Sequence, residues 1–215
     1  MAIFNSSILE GASGSVGNIT LYKYKKKNVV RAKIVFKRKK KSESQCVQQL
    51  RFKILTQLAD TFCQTAIVGF PGDSWSQARR AFIKHNQKTV EIDETTLEAT
   101  VLLEHVVCSA GKLIPPNVQV SFQGADRSLL VKWFRQPLSP IAKDEDDLYI
   151  ALLDTKEKDT AIYPLGKRGN PGEKAISLPK EFTPANLLGY TFAISSLKTN
   201  TSDTAFVNIE RPETE

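Results

Sequence analysis

Ser128-Leu-Leu-Val-Lys-Trp133 is the stretch on which the fold turns. In an extended chain every second side chain points the same way, so Leu129, Val131 and Trp133 line one face and Leu130 and Lys132 the other. Leu148, Ile150 and Leu152 form a second such row, and Tyr190, Phe192 and Ile194 a third. Seven short apolar stretches, at 118–123, 129–135, 148–153, 160–165, 174–178, 190–195 and 204–210, return between turn residues without a helical period. That spacing predicts a β-sandwich whose core is built from the three inward rows.

Upstream the period changes. Ser42-Glu-Ser-Gln45 is a capping-box pattern, and Val47, Leu50, Ile54, Leu58 and Phe62 follow at helical spacing, which predicts a helix over about 43–63. Pro71-Gly72-Asp73 breaks the chain, Ser74 to Gln77 repeats the capping pattern, and Trp75, Ala78, Phe82 and His85 line one face of a second helix. Residues 89–113 alternate as strands, notably Val101, Leu103 and His105 against Leu102, Glu104 and Val106. Before the first helix, Ile19–Tyr24 and residues 29–36 read as the two strands of a hairpin with Lys25-Lys-Lys-Asn28 as its turn. The glycines of Gly11-Ala-Ser-Gly-Ser-Val-Gly-Asn18 make a flexible opening. The expected class is α+β: a basic β-hairpin and helical module over 1–112, then an all-β sandwich over 113–215.

The composition excludes several classes. A chain of 215 residues with 41% hydrophobic and 25% charged residues is neither disordered, collagen-like nor a disulfide-stapled miniprotein. No apolar run approaches the roughly 18 residues of a membrane-spanning helix. The N-terminus lacks a basic start and its apolar residues are interrupted by Asn5, Ser6 and Ser7, a poor secretory signal, so a cytoplasmic location is expected. Cys46, Cys63 and Cys108 show no C-x-x-C spacing, and with only His85 and His105 to join them the expected states are buried thiols and no metal site. The spacing G-x-x-G-x-x-G at 11–17 lacks the G-K-[S/T] ending and the following helix of a phosphate loop. No cofactor is expected.

Charge divides the chain. The formal net charge is +7, yet residues 1–112 hold 18 Lys and Arg against 9 acids and residues 113–215 hold 12 against 14. From Tyr22 to Lys53 there are 13 basic residues and one acid, Glu43. The candidate binding residues are Lys23, Lys25, Lys26, Lys27, Arg31, Lys33, Lys37, Arg38, Lys39, Lys40 and Lys41. Such a block repels itself unless solvent or an anionic partner screens it, and its last five members precede the positive end of a helix dipole, where cations are not favoured. Two functional readings follow. In the first, the protein is a non-catalytic interaction or assembly protein whose sandwich recognises a protein partner while the hairpin docks on an acidic surface. In the second, the block binds nucleic acid, with Tyr22, Tyr24 and Phe36 available to stack on bases. The bland reading is that the lysines solubilise the hairpin and guard its edges. The oligomeric state stays open.

The C-terminal rows carry a resemblance. With Trp133 in a strand and Tyr190 after Phe182-Thr-Pro-Ala-Asn-Leu-Leu-Gly, residues 115–210 resemble a fibronectin type III or related immunoglobulin-like domain. The resemblance implies Trp133 packed between sheets and Tyr190 at the tyrosine corner; the immunoglobulin cysteine pair is missing. Almost the whole chain also resembles a bacterial family of small basic proteins of unknown function. The residues behind that likeness are the Gly11–Asn18 opening, Val30-Arg31, Gln45-Cys-Val-Gln-Gln-Leu-Arg-Phe52, Ala81-Phe-Ile-Lys-His-Asn86 and Ser109-Ala-Gly-Lys-Leu113. This likeness supports the architecture and implies no mechanism. No G-x-S-x-G, H-E-x-x-H or Cys/His constellation marks an enzyme, and Asp144, Glu145, Asp146 and Asp147 read as a solvated turn.

Overall fold

The computed structural model describes residues 2–4, 6, 9–33, 41–72, 74–122 and 127–210, and it divides into two compact units, Met1–Lys41 and Ser42–Glu215. The first is a four-stranded antiparallel sheet of β1 (Ala2–Phe4), β2 (Gly14–Val16), β3 (Ile19–Tyr24) and β4 (Lys27–Ala32) in the order β1-β4-β3-β2. The predicted hairpin is β3–β4, but Lys27 and Asn28, expected in the turn, are paired in β4, and the turn is the two residues Lys25 and Lys26 at φ 44° and 63°; residues 34–36 of the expected strand lie outside the described residues. Positive φ at both central positions is what a two-residue turn needs to match strand twist. Gly17, at φ 54°, opens the β2–β3 turn inside the stretch expected to be a flexible opening.

The second unit begins with α1 (Glu43–Thr61), whose capping box forms as read: Ser42 Oγ accepts from the Gln45 amide at 3.3 Å and Gln45 Oε1 accepts from the Ser42 amide at 3.2 Å. α2 (Cys63–Gly69) and α3 (Trp75–His85) follow. At α3 the second capping box does not form; the Gln77 amide donates instead to the Ser74 main-chain carbonyl at 3.0 Å. β5 (Val90–Ile92) and β6 (Ala99–Val101) make a separate hairpin. Leu103 and His105, expected to alternate in a strand, lie in a 3-10 turn, Leu103–His105.

All seven C-terminal stretches form strands: β7 (Val118–Phe122), β8 (Ser128–Trp133), β9 (Asp147–Asp154), β10 (Asp159–Lys167), β11 (Gly172–Ser177) and β12 (Leu187–Ile194), with the last split into β13 (Ala205–Val207) and β14 (Ile209–Glu210). They pair as two sheets, β11-β8-β7-β14 and β10-β9-β12-β13. The class is mixed α+β. Leu129, Val131 and Trp133 from one sheet and Leu148, Ile150 and Leu152 from the other share a core, as their alternation predicts.

The third predicted row needs correction. Tyr190, Phe192 and Ile194 turn away from that core and, with Ala151 and Leu153, pack against Phe62, Phe70 and Phe82 of the helical segment. From β12 it is Leu187 and Ala193 that reach the first core. The sheet β10-β9-β12-β13 is therefore covered on both faces, and helices and strands share a core across the expected boundary at 112/113. Tyr190 is fully buried; its Oη donates to the Leu103 carbonyl at 2.7 Å, and its ring meets Phe62 edge-on at 5.6 Å. Asn86 closes the same layer by donating to the Phe82 and Val107 carbonyls and accepting from the Val107 amide.

The acidic turn also needs correction. Asp144 and Asp147 are partly exposed and paired with Arg135 and Lys167, but Asp146 is buried with Arg168. The Arg168 guanidinium meets Asp146 Oδ2 at 3.2 Å and also donates to the Ile114 carbonyl at 2.6 Å and to Gln136 Oε1. One cation thus ties the entry to β9, the end of β10 and the segment before β7.

Two expected outcomes follow. Asp146→Asn leaves a buried guanidinium without its counter-charge and should cost about 3–5 kcal/mol in denaturant unfolding, whereas removing the exposed Lys132–Glu173 pair should cost at most about 1 kcal/mol. Equal costs would refute the burial argument. A fragment of residues 113–215 exposes the Tyr190 face of the central sheet and should aggregate or bind a hydrophobic dye, while residues 42–215 should unfold cooperatively; a monomeric, dye-silent 113–215 fragment would show that the helices are dispensable.

Candidate functional site

The basic hairpin starts from a two-residue turn that forces its charges together. Lys25 and Lys26 occupy the turn itself, Lys27 stands opposite Tyr24, and Lys23 opposite Asn28. Arg31 and Lys33 lie toward the other end of β4, with Arg31 opposite Thr20 and the Lys33 amide donating to the Asn18 carbonyl. At about 3.3 Å per residue, Lys27 and Arg31 are about 13 Å apart along the strand. All six of these cations are exposed, and among the described residues none takes part in an ion pair. Lys41 is exposed as well, at the end of this unit. Lys37, Arg38, Lys39 and Lys40 lie outside the described residues, as does Phe36.

Cross-strand register sorts the hairpin by face. Thr20, Tyr22 and Tyr24 share a face with Lys27, Val29 and Arg31, while Leu21 and Val30 share the other with Lys23 and Asn28. The Arg31 guanidinium lies 5.5 Å from the Tyr22 ring centre, and Lys25 Nζ lies 5.6 Å from that of Tyr24. Such contacts leave the cation charged and hold its stem against the ring. Tyr22 is half-buried and Tyr24 is 57% exposed, so of the two rings only Tyr24 is largely open. Leu21 and Val29 are the buried side chains among the described residues of this unit, while Ile3, Val16 and Ile19 are exposed at 61%, 68% and 43%.

The other candidates do not gather. Cys108 is fully buried and burial pushes its thiol pKa far up, which leaves it protonated and unreactive. Cys46 and Cys63 are half-buried free thiols. His85 is exposed near the end of α3 and stacks on Phe70 at 5.6 Å, and His105 is exposed in the 3-10 turn. No three His, Cys, Asp or Glu among the described residues are grouped to hold a metal ion. Gly11, Gly14 and Gly17 all take positive φ, but β2 runs between the second and third. No helix among the described residues is long and apolar enough to cross a membrane. The sequence reading missed an apolar cavity of about 240 Å³ between α1 and β9, floored by Leu153 and walled by Ile54, Leu58 and Leu103; its walls come from segments too far apart in sequence for any local signal.

Compared with protein-family models, with curated proteins and with solved structures, the chain matches none.

Lysine is an expensive choice for the turn. A side chain in the left-handed region costs roughly 1–2 kcal/mol relative to ordinary backbone, and Asn-Gly is the favoured pair there. Replacing Lys25-Lys26 by Asn-Gly should therefore strengthen the hairpin, seen as slower amide exchange in β3 and β4. Unchanged or faster exchange would show that the turn is not strained as described.

Proposed function

We propose that this chain is a non-catalytic interaction or assembly protein, in which the basic hairpin docks on an acidic surface of a protein partner. The observation that carries the reading is the exposure of six cations on one short hairpin without an acid paired to any of them among the described residues. Two of the six sit at positive φ, where a stabilising sequence would not put lysine. Exposed apolar side chains on the same sheet supply what an ion-pairing surface needs for a durable contact. In this reading residues 113–215 are a fibronectin type III-like sandwich that presents edges and loops. Its support is the strand order, with β7, β8 and β11 in one sheet, β9, β10, β12 and β13 in the other, and Trp133 of β8 in the core between them. The likeness to a bacterial family of small basic proteins belongs with the same proposal.

The register that places Tyr24 opposite Lys27, with Arg31 on the same face farther along β4, gives the nucleic-acid reading its one specific support. The two readings separate on Tyr24→Ala. Stacking of a base on an aromatic is worth about 1–3 kcal/mol, so on a single-stranded oligonucleotide this substitution should weaken binding about five- to 160-fold if the ring reads bases. If the hairpin is built for acidic protein surfaces, Tyr24→Ala should leave binding to polyglutamate and to the oligonucleotide changed by the same small factor, whereas Lys25→Gln with Lys26→Gln and Lys27→Gln should abolish both. Titrations of labelled polyglutamate and oligonucleotide at two salt concentrations decide it. Wild-type protein that binds neither would remove the proposal.

A further inference from the structure

The chain's own charge layout names a partner for the hairpin. Residues 1–41 hold eleven Lys and Arg against one acid, Glu10, while residues 42–215 hold nineteen against twenty-two, so the second unit is slightly acidic although the protein as a whole is basic. Three of the four acids at 144–147 are paired with Arg135, Lys167 and Arg168, whereas those of the β5–β6 hairpin are in no ion pair among the described residues. Between Val90 and Val101 there are four acids, Glu91, Asp93, Glu94 and Glu98, all exposed, and no Lys or Arg. Register places Ile92 opposite Ala99 and Glu91 opposite Thr100, and the Asp93 amide donates to the Glu98 carbonyl, so Glu91, Asp93 and Glu98 share one face. Val90 is buried on the other face and anchors the hairpin. Arg51 and Lys88 border it near Glu91, which leaves the far end the more negative. Leu97, 45% exposed at that end, offers an apolar contact to match the exposed Tyr24 beside the lysine turn.

Resting on the reading that the basic hairpin docks on an acidic surface, we infer that this surface is the β5–β6 hairpin of a second copy of the chain, so that the protein associates head to tail. The two surfaces are different, so the contact is heterologous: every bound copy still offers one free basic and one free acidic hairpin, and assembly continues until a ring closes or the protein runs out. Charge complementarity of this kind steers encounter and is screened by salt.

Two variants of the full chain test it. One carries Lys25→Gln, Lys26→Gln and Lys27→Gln. The other carries Glu91→Gln, Glu94→Gln and Glu98→Gln and spares Asp93, whose carboxylate accepts from the Thr95 and Thr96 amides and holds the turn. Thermal unfolding establishes that each is folded, and Glu94→Gln with Glu98→Gln alone replaces the triple variant if that one is not. By sedimentation velocity at low salt, wild-type protein should exceed its monomer mass of 23.9 kDa increasingly with concentration and return to it at high salt. Each variant alone should remain monomeric. An equal mixture should associate and stop at twice the monomer mass, because only one intact pair of surfaces remains between the two. Wild-type protein that is monomeric at every concentration overturns the inference, as does a mixture that stays monomeric or association that survives in either variant. Polyglutamate keeps the parent reading separate: wild-type protein that binds it through the lysines yet never self-associates retains the acidic-surface reading and loses the second copy.

Discussion

The structure depends on the burial of one strand pair from both sides. β9 and β12 run antiparallel over eight residues, from Asp147 opposite Ile194 to Asp154 opposite Leu187. Leu148, Ile150 and Leu152 of β9 enter the core shared with β8, and Tyr149, Ala151 and Leu153 face the core shared with the helices. Neither cover can be removed without returning a full apolar sheet face to water, at about 25 cal/mol for each Å². The helices are thus a wall of the sandwich, which explains why the division of the chain falls at Lys41 and Ser42.

A sheet buried on both faces must satisfy its polar groups internally, and three side chains of this layer do so across long stretches of chain. Tyr190 reaches the Leu103 carbonyl, and Asn86 clamps the end of α3 to Val107. Thr204 Oγ1 accepts from the amides of Cys108 and Ser109 and donates to the Ser109 carbonyl, which pins the return of the chain toward β13. These side chains join segments up to 96 residues apart. They hold the helical wall to the sheet in one register, a specificity that apolar packing alone does not supply.

That distance explains what was legible in the sequence. The strands were, because period two is local, and so were α1 and its cap, because Ser42 and Gln45 are three residues apart. Which face Tyr190 takes was not: Leu187 to Ile194 is apolar on both sides, and alternation carries no information when both faces are buried. Asp146 looked like its three acidic neighbours because its partner, Arg168, stands 22 residues away. The seven residues of α2 were too few to show a helical period. Of the basic block, the hairpin and its lysine turn were legible as a run of charge, while the sharing of one face by Tyr24, Lys27 and Arg31 needed the cross-strand register.

Stability and charge are segregated in this chain. The Ser42–Glu215 unit contains both large cores and carries slightly more acid than base, while the Met1–Lys41 unit buries Leu21 and Val29 and carries eleven cations. Among the described residues its four short strands carry two buried side chains, little hydrophobic stabilisation to set against the mutual repulsion of those cations and two left-handed lysines. On the proposed reading, an anionic surface that accepted the hairpin would relieve the repulsion and cover Tyr24 in the same step. Binding and ordering of the first unit are then one equilibrium, so any partner that holds the lysines also stabilises the sheet that presents them.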